Sequence, residues 1–174
     1  MPPVIAIVGH SDAGKTTLIE KLLPELSRRG YRVATVKHAH HGFQMDKPGK
    51  DSWRHQAAGA ATVILIGPEQ VAVVKSQPGA SLEDALPFAG DCDLVIVEGF
   101  KKAAVPKIEV FRSGTRPAPI CLDDPHLAAL VTDAAIASLS IPVIGLDDIA
   151  RLADVIAARL FGPLAIGKER ADGC

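Results

Sequence analysis

The stretch GHSDAGKTTL, residues 9–18, follows the apolar run VIAIV and precedes a run with helical spacing. Gly9, Gly14, Lys15 and Thr16 match the pattern G-x-x-x-x-G-K-[ST], in the order strand, loop and helix that this pattern requires. Glycines at both ends permit backbone turns in which successive N–H groups converge on phosphate oxygens, and the helix N-terminus adds partial positive charge. The stretch predicts a phosphate-binding loop rather than a plain strand-to-helix turn.

Residues 9–17 are called the phosphate loop below. Its amides, including those of Ser11, Asp12 and Ala13, are expected to curl around a triphosphate. The Lys15 ammonium would neutralise β- and γ-phosphate charge, and the Thr16 hydroxyl would bind the Mg²⁺ that bridges them. Asp12 is unusual here, because it puts a carboxylate near the phosphates unless it points outward.

The rest of the chain alternates strand-like and helical segments, which predicts an α/β fold with a mostly parallel sheet. Several strands are continuously apolar, as suits strands covered on both faces. TVILIGPEQVAVVK, with its Gly-Pro turn, predicts a local antiparallel hairpin, so the sheet is expected to be mixed. The strands are expected at 4–9, 31–38, 62–67, 70–75, 93–99, 107–111, 127–132 and 142–146, and the helices at 15–29, 51–58 and 147–160.

Length and composition indicate one globular domain, residues 1–162, followed by a frayed tail, residues 163–174. The chain has 174 residues and 48% hydrophobic content, enough for one substantial core. A net charge of -1 gives no global field for nucleic acid or anionic membrane. Three widely spaced cysteines and the lack of a leader or of an apolar run of about 20 residues favour a cytoplasmic protein that neither binds nucleic acid nor enters a membrane.

The segment DLVIVEGF ends a buried strand with an acid, Glu98. Doubly wound sheets bind their ligands at the carboxyl ends of the strands, so Glu98 is placed to hold Mg²⁺ directly or through water. The alternative is a structural acid before a glycine turn. We favour the metal role, because an acid after four apolar strand residues is what such a site needs.

The segment KHAHHGFQMDKPGKDS, residues 37–52, is dense in histidine, lysine and aspartate and follows a strand on the same expected edge of the sheet. Its histidines, His38, His40 and His41, could form a zinc site or lie in solvent. They could also join Lys37, Lys47 and Lys50 in binding an anion. Asp46 could enter the magnesium shell. For Asp51 we favour the N-cap of the next helix.

Taken together, GHSDAGKTTL, KHAHHGFQMDKPGKDS, DLVIVEGFK, KIEVFRSG and LVTD occur in an order and spacing similar to those of the molybdopterin-guanine dinucleotide biosynthesis adaptor protein B (MobB) family. The resemblance extends from Val4 to about Leu160. The phosphate loop is generic, whereas the KH-x-HH stretch coupled to VEGFK is far more specific.

The resemblance implies a three-layer, doubly wound fold of the P-loop NTPase type and a homodimer that binds GTP and Mg²⁺ with weak GTPase activity at most. It implies an accessory role beside the guanylyltransferase that attaches GMP to molybdopterin. Phosphate contacts then fall on Gly14, Lys15, Thr16 and Thr17, and magnesium on Thr16 and Glu98. The segment with Lys37, His38 and His41 becomes a candidate contact for molybdopterin, its guanine dinucleotide or the transferase.

A guanine reader usually offers a carboxylate in an [NT]-K-x-D loop after a strand. LAALVTD supplies Thr132 and Asp133 but no lysine to stack on the base. Asp133 could instead cap a helix over AAIASL, and the resemblance favours the base-reading role.

Two further functional hypotheses remain besides the accessory protein. One is a P-loop kinase or ATP-dependent ligase that acts on a small acid or pterin. The other is a scaffold that holds a nucleotide without hydrolysing it.

Overall fold

The computed structural model describes residues 1–39, 42–136 and 139–162 of the chain. Contacts divide it into two compact units, one of residues 1–38 with the chain from Ala85 onward, and one of Ala39–Asp84. In chain order the elements are β1 Val4–Val8, α1 Lys15–Arg28, β2 Val33–Lys37, α2 Asp51–Ala57, β3 Thr62–Ile66, β4 Val71–Lys75, α3 Leu82–Ala85, a 3-10 turn Leu86–Ala89, β5 Leu94–Glu98, β6 Lys107–Phe111, β7 Leu127–Thr132, β8 Val143–Ile144 and α4 Ile149–Phe161.

The eight strands and three longer helices expected from sequence are confirmed, with ends shifted by up to two residues. Helix α3 and the 3-10 turn are additions. A single domain over residues 1–162 stays a prediction, and the expected tail, residues 163–174, lies outside the described residues. No helix in the described ranges has the length and apolar character to cross a bilayer.

The first unit is built on a six-stranded sheet in the order β2-β5-β1-β6-β7-β8, and all its pairings are parallel. Its central strands are apolar without alternation because both faces are covered; Ile5, Ile7 and Ile96 are fully buried. Helices α1 and α4 contact each other and β1, so they cover the same face. The α/β architecture with a parallel sheet is confirmed.

Strand β1 marks the point where the strand order reverses. The chain leaves β1 toward β2 on one side, returns as β5 beside β1, and then continues on the other side as β6, β7 and β8. Ligands of open α/β sheets bind outside the carboxyl ends of the strands at such a point. The loop after β1, which is the phosphate loop, therefore occupies the expected ligand position.

Helix α1 begins directly after Gly14 and ends in a glycine motif. Gly14 is the N-cap with a left-handed φ of 95°, and Lys15 is the first helical residue. At the other end the Gly30 N–H donates to Ser27 O and the Tyr31 N–H donates to Leu26 O, the pair of bonds that typifies a Schellman ending. Both ends are thus fixed, which sets Lys15 and Thr16 in the first turn.

Two charged side chains of β6 are buried and bind residues of the loop that follows this strand. Lys107 is 1% exposed, donates to Ala103 O at 2.6 Å and pairs with Asp124 at 2.9 Å. Glu109 is fully buried and accepts from the backbone N–H groups of Ile120, at 2.6 Å, and Cys121, at 2.9 Å. Buried charges require such partners, so these contacts order the β6–β7 loop, residues 112–126.

Glu109→Gln is expected to lower the free energy of unfolding by about 1–3 kcal/mol, because a glutamine has one acceptor oxygen and leaves one buried N–H without its carboxylate partner. Thermal denaturation should show a melting temperature several degrees lower. Glu20→Gln, on the exposed side of α1, is the matched control. Equal melting temperatures for both variants would show that the two loop hydrogen bonds add nothing to stability.

The second unit contains α2 and the β3–β4 hairpin. The hairpin is confirmed as antiparallel, with Ile64 opposite Val73, but it forms a sheet of its own and does not extend the parallel sheet. The expectation that the chain folds into one mixed sheet is therefore wrong. The Gly-Pro turn pairs β3 with β4 locally, and among the described residues neither strand bonds to a third.

The N-cap assigned to Asp51 is also wrong. Lys50 occupies the cap position and makes no side-chain cap hydrogen bond, whereas Asp51 is the first helical residue. The Asp51 Oδ1 atom lies 3.9 Å from Nη1 of Arg54, one turn along α2. A carboxylate in the first turn still interacts favourably with the helix dipole.

Candidate nucleotide-binding site

Gly9 begins the phosphate loop against the backbone of β6. Its φ of 139° is one that side chains rarely permit, and a Cβ at this position would lie 2.3 Å from Val110 O. Any larger residue would push the loop off the sheet. This close approach explains why the first position of the motif requires glycine.

The Lys15 side chain folds back over the phosphate loop. Its Nζ donates to the carbonyl oxygen of His10 at 2.5 Å and to that of Gly9 at 3.4 Å. Burial lowers the pKa of Lys15, and the nearby Glu98 carboxylate opposes that shift. The arrangement holds an ammonium group beside converging amides, where an incoming polyanion could replace the two carbonyl contacts.

Thr16 and Glu98 meet at the end of the loop. The Thr16 hydroxyl lies 3.2 Å from Glu98 Oε1 and 3.1 Å from Oε2, and Lys37 Nζ lies 3.4 Å from Oε1. The sheet brings these groups together, since Ile7 and Lys37 both stand opposite Glu98 in the parallel ladders. A hydroxyl and a carboxylate form the hard-oxygen set that Mg²⁺ prefers, so the chemistry of these residues fits that ion.

His38 continues β2 past Lys37 and lies on an aromatic ring. Its N–H donates to Glu98 O at 3.0 Å, and its imidazole stacks on Phe100 with ring centroids 4.2 Å apart. Lys37 and His38 therefore lie beside Glu98, as their position after a strand predicts. His40 and His41 lie outside the described residues.

A cleft opens on the other side of the phosphate loop, and we call it the side cleft. Its volume is about 510 Å³, within the range of roughly 300–1,000 Å³ that is typical of small-molecule sites. The loop after β1, the start of α1 and the ends of β6, β7 and β8 line it, through Ala13, Gly14, Thr17, Leu18, Lys21, Arg112, Thr132, Asp133, Gly145, Leu146, Asp147 and Asp148. It adjoins the phosphate loop, so a group bound there can continue into it.

Asp133 lies in the side cleft at the end of β7. Its Oδ1 accepts from the Ser113 N–H at 2.7 Å, and this hydrogen bond is the main cause of a lowered Asp133 pKa. The carboxylate is therefore ionised at neutral pH. In the described residues 134–136 no helix begins, so the alternative N-cap role of Asp133 is wrong. The Thr132 hydroxyl accepts from the Ala134 N–H instead.

Comparison with known proteins agrees with this geometry. Residues 4–133 match the family model described as "MobB: Molybdopterin guanine dinucleotide synthesis protein B". The chain belongs to the MobB family. It is 44% identical over 135 residues to the "Molybdopterin-guanine dinucleotide biosynthesis adapter protein" of Haemophilus influenzae, with 75% of each chain covered. It is 36% identical over 163 residues to the Escherichia coli protein of the same name, with 90% of this chain and 92% of that one covered.

Solved MobB structures share the fold. The "Crystal Structure of molybdopterin-guanine biosynthesis protein B (mobB)" superimposes with a TM-score of 0.73 at 32% identity, over 90% of this chain and 98% of that one. The MobB homologue from Bacillus stearothermophilus superimposes with a TM-score of 0.66 at 26% identity, over 90% and 97% of the two chains. The fold is thus that of the MobB family, a P-loop NTPase-like architecture.

Within this MobB-type loop, Asp12 has a positive φ of 62°. Such a left-handed conformation is uncommon for residues other than glycine, although aspartate and asparagine adopt it more readily than most. Asp12 is exposed, as is its neighbour Ser11, whereas Ala13 is buried. The Asp12 carboxylate is close enough to raise the pKa of Lys15, a smaller effect than the lowering by burial.

Asp46 lies in the second unit, where its Oδ1 accepts from the Lys47 N–H at 2.8 Å. Its magnesium role stays a prediction. Within residues 1–39, 42–136 and 139–162, no three His, Cys, Asp or Glu side chains come together as a metal cluster. Two of the three histidines of the zinc hypothesis, His40 and His41, lie outside these residues, so the zinc site stays a hypothesis.

Four charged residues of the side cleft are absent from the sequence-based assignment, namely Lys21, Arg112, Asp147 and Asp148. Lys21 and Asp147 form an ion pair of 2.7 Å between α1 and the loop after β8. Arg112 follows β6 directly. The rule that ligands bind at the carboxyl ends of strands could have selected Arg112 and Asp147, because both follow predicted strands.

Proposed function

We propose that this chain is a GTP-binding accessory protein of molybdenum cofactor biosynthesis that assists the attachment of GMP to molybdopterin. The observation that carries the proposal is the direct contact of Thr16 with Glu98 beside Lys15, in a chain whose residues 4–133 match the MobB family. Its relatives are named adapter proteins of molybdopterin-guanine dinucleotide biosynthesis. Hydrolysis is at most weak in this proposal, and the cytoplasm is the proposed location.

The phosphate loop would bind the triphosphate. The amides from Gly9 to Thr17 would donate to phosphate oxygens, and Lys15 would exchange its carbonyl contacts for the β- and γ-phosphates. Thr16 and Glu98 would hold Mg²⁺, which supplies charge neutralisation between the phosphates when bound. Lys37, at 3.4 Å from Glu98, would add positive charge at the same end of the nucleotide.

The side cleft would hold the nucleoside, with Asp133 as the guanine reader. Guanine presents two adjacent N–H groups, on N1 and N2, that an ionised carboxylate can accept, whereas adenine does not offer that pair. The lowered pKa of Asp133 and its attachment to Ser113 support this role. A site built to accept those hydrogens should reject a base that lacks them.

Isothermal titration of the full chain with GTP and with ATP, each with Mg²⁺, tests the function. We expect GTP to bind more tightly than ATP. Asp133→Ala should lower the ratio of GTP affinity to ATP affinity by at least about tenfold. Asp133→Asn is the matched variant, since it keeps an acceptor for Ser113 but loses the charge. Equal binding of GTP and ATP by the wild type would contradict the guanine assignment, and ATP turnover that depends on a small acceptor would favour the kinase or ligase hypothesis.

Asp12→Asn is expected to tighten GTP binding by about fivefold. The substitution removes one negative charge a few ångströms from a triphosphate, which is worth about 1 kcal/mol in water. Asparagine also accepts the positive φ of this position. Asp123→Asn, which alters an exposed aspartate, is the control, and its GTP affinity should equal that of the wild type. An Asp12→Asn affinity at or below that of the wild type would mean that the carboxylate does not face the phosphates.

The transferase is the proposed partner. The candidate contacts for its pterin substrate or its surface are Lys37, His38, Lys47 and Lys50. Lys47 and Lys50 are exposed. The rate at which the guanylyltransferase forms molybdopterin-guanine dinucleotide, measured with and without the chain and GTP, tests this role. A rate that does not respond to the chain would contradict it.

A homodimer is proposed as well, and the β3–β4 hairpin offers a surface for it. One face of this two-stranded sheet carries four exposed apolar side chains, Ile64 (60%), Ile66 (82%), Val71 (64%) and Val73 (41%). An isolated hairpin is marginally stable in water, and a contiguous apolar face of this kind is typical of an interface. A second copy presents the same face, which carries Thr62 and Lys75 at one end, and would cover its four apolar side chains symmetrically.

Light scattering of the purified chain tests the dimer. We expect the wild type to have twice the monomer mass and Ile66→Glu to be monomeric at the same concentration. Phe88→Glu, which alters an apolar side chain of similar exposure (60%) outside the hairpin, is the control and should remain dimeric. A monomeric wild type, or a dimer that Ile66→Glu leaves intact, would contradict this surface.

A further inference from the structure

Arg112 occupies the side cleft without a use assigned so far. It follows β6, the strand that supports Gly9, and lines the cleft together with Gly14 and Asp133. Its Nη2 lies 3.7 Å from the point where Gly14 would carry a Cβ. The guanidinium group therefore lies beside Gly14 of the phosphate loop, and Arg112 lines the cleft that is proposed to hold the base.

The backbone around Arg112 is fixed. Its carbonyl oxygen accepts from the Thr115 hydroxyl at 2.7 Å, and the N–H of its neighbour Ser113 donates to Asp133 at 2.7 Å. By contrast, no hydrogen bond or ion pair of the guanidinium group is found within the described part of the chain. An exposed arginine on a fixed backbone, with its planar group in a cleft, is suited to contact a ligand.

We propose that Arg112 stacks its guanidinium plane on the purine ring of the bound nucleotide, while Asp133 accepts hydrogen bonds at the edge of the same ring. This inference rests on the proposed GTP binding. In an [NT]-K-x-D loop, a lysine stacks on the base. The LVTD segment has no such lysine, and Arg112 would take its place. Guanidinium groups stack on aromatic planes, and purines present such a plane whatever their edge groups.

The phosphates are a less suitable target for Arg112. Lys15 already lies within the phosphate loop, and the other lysines whose charges act on it are Lys101 and Lys37. Lys37 pairs with Glu98, and the Glu98 charge also acts on Lys15. Arg112 instead lines the side cleft together with the carboxylates of Asp133 and Asp147, and Asp133 is the proposed contact of the base.

The test compares two probes on the full chain, GTP with Mg²⁺ and inorganic tripolyphosphate with Mg²⁺. We expect Arg112→Ala to weaken GTP binding about tenfold and to leave tripolyphosphate binding unchanged. Arg112→Lys, which keeps the charge and loses the plane, should recover little of the GTP affinity. Arg116→Ala, an exposed arginine of the same loop that does not line the cleft, is the control and should match the wild type.

Other outcomes would overturn the stacking role. Equal losses for both probes, with recovery in Arg112→Lys, would make Arg112 a phosphate contact. Unchanged GTP affinity in Arg112→Ala would remove it from the site while leaving the proposed function intact. A wild type that binds tripolyphosphate but not GTP would overturn the proposed function and the stacking role together. Melting temperatures of the variants show whether any loss arises from unfolding.

Discussion

Replacement of Lys15 by alanine is expected to weaken GTP binding by at least about 100-fold, which corresponds to about 2.7 kcal/mol. The variant removes the one ammonium group that lies inside the phosphate loop, 2.5 Å from His10 O. Titration calorimetry with GTP and Mg²⁺ measures the loss. Lys75→Ala, an exposed lysine of the hairpin, should bind GTP as the wild type does. If Lys15→Ala retained wild-type affinity, the phosphates would bind elsewhere.

The affinity for GTP measured in the same titration should decrease as pH rises. Only the protonated form of Lys15 attracts the triphosphate, and burial lowers its pKa in the free protein. The contribution of Lys15 is therefore complete below that pKa and declines as pH rises through it. We expect GTP affinity to fall at alkaline pH in the wild type, and Lys15→Ala to lack this part of the decline.

Glu98→Gln is expected to remove most of the effect of Mg²⁺ on GTP binding. The carboxylate touches the Thr16 hydroxyl at 3.1–3.2 Å and pairs with Lys37, and glutamine keeps its shape without its charge. Loss of a residue that orients or binds a metal typically lowers metal affinity about 10- to 100-fold. Titration of the GTP-loaded chain with Mg²⁺ measures the change.

Two further variants sharpen that experiment. Glu20→Gln, exposed on α1, is the charge-matched control and should leave Mg²⁺ binding unchanged. Asp46→Asn decides whether Asp46 binds the metal. If it does, the substitution should lower Mg²⁺ affinity as Glu98→Gln does. Full retention of the Mg²⁺ effect in Glu98→Gln would contradict the metal role of Glu98.

The parallel sheet and the phosphate loop could be predicted from the sequence because both depend on local patterns of residues. Runs such as LVIVE are apolar on both faces, which is typical of a strand covered by helices or loops on both sides. The spacing of Gly9, Gly14 and Lys15 depends on backbone conformations that few other residues permit. The pairing of Lys37 with Glu98 follows once β2 and β5 are neighbours.

Features that depend on distant contacts could not be predicted in the same way. Whether the hairpin joins the parallel sheet depends on partners far away in sequence, and its two apolar runs, TVILI and VAVVK, are the same in either case. Nothing local indicates that Glu109 is buried against the amides of Ile120 and Cys121. The position of Arg112 over Gly14 depends on β6 lying next to β1, which the order of elements along the chain does not state.

A crystal of the chain grown with a non-hydrolysable GTP analogue and Mg²⁺ tests the central claim most directly. We predict the β- and γ-phosphates on the amides of residues 9–17 and Lys15, the metal on Thr16 and Glu98, and the guanine in the side cleft beside Asp133. A polyanion bound at another surface, with the phosphate loop empty, would contradict the account.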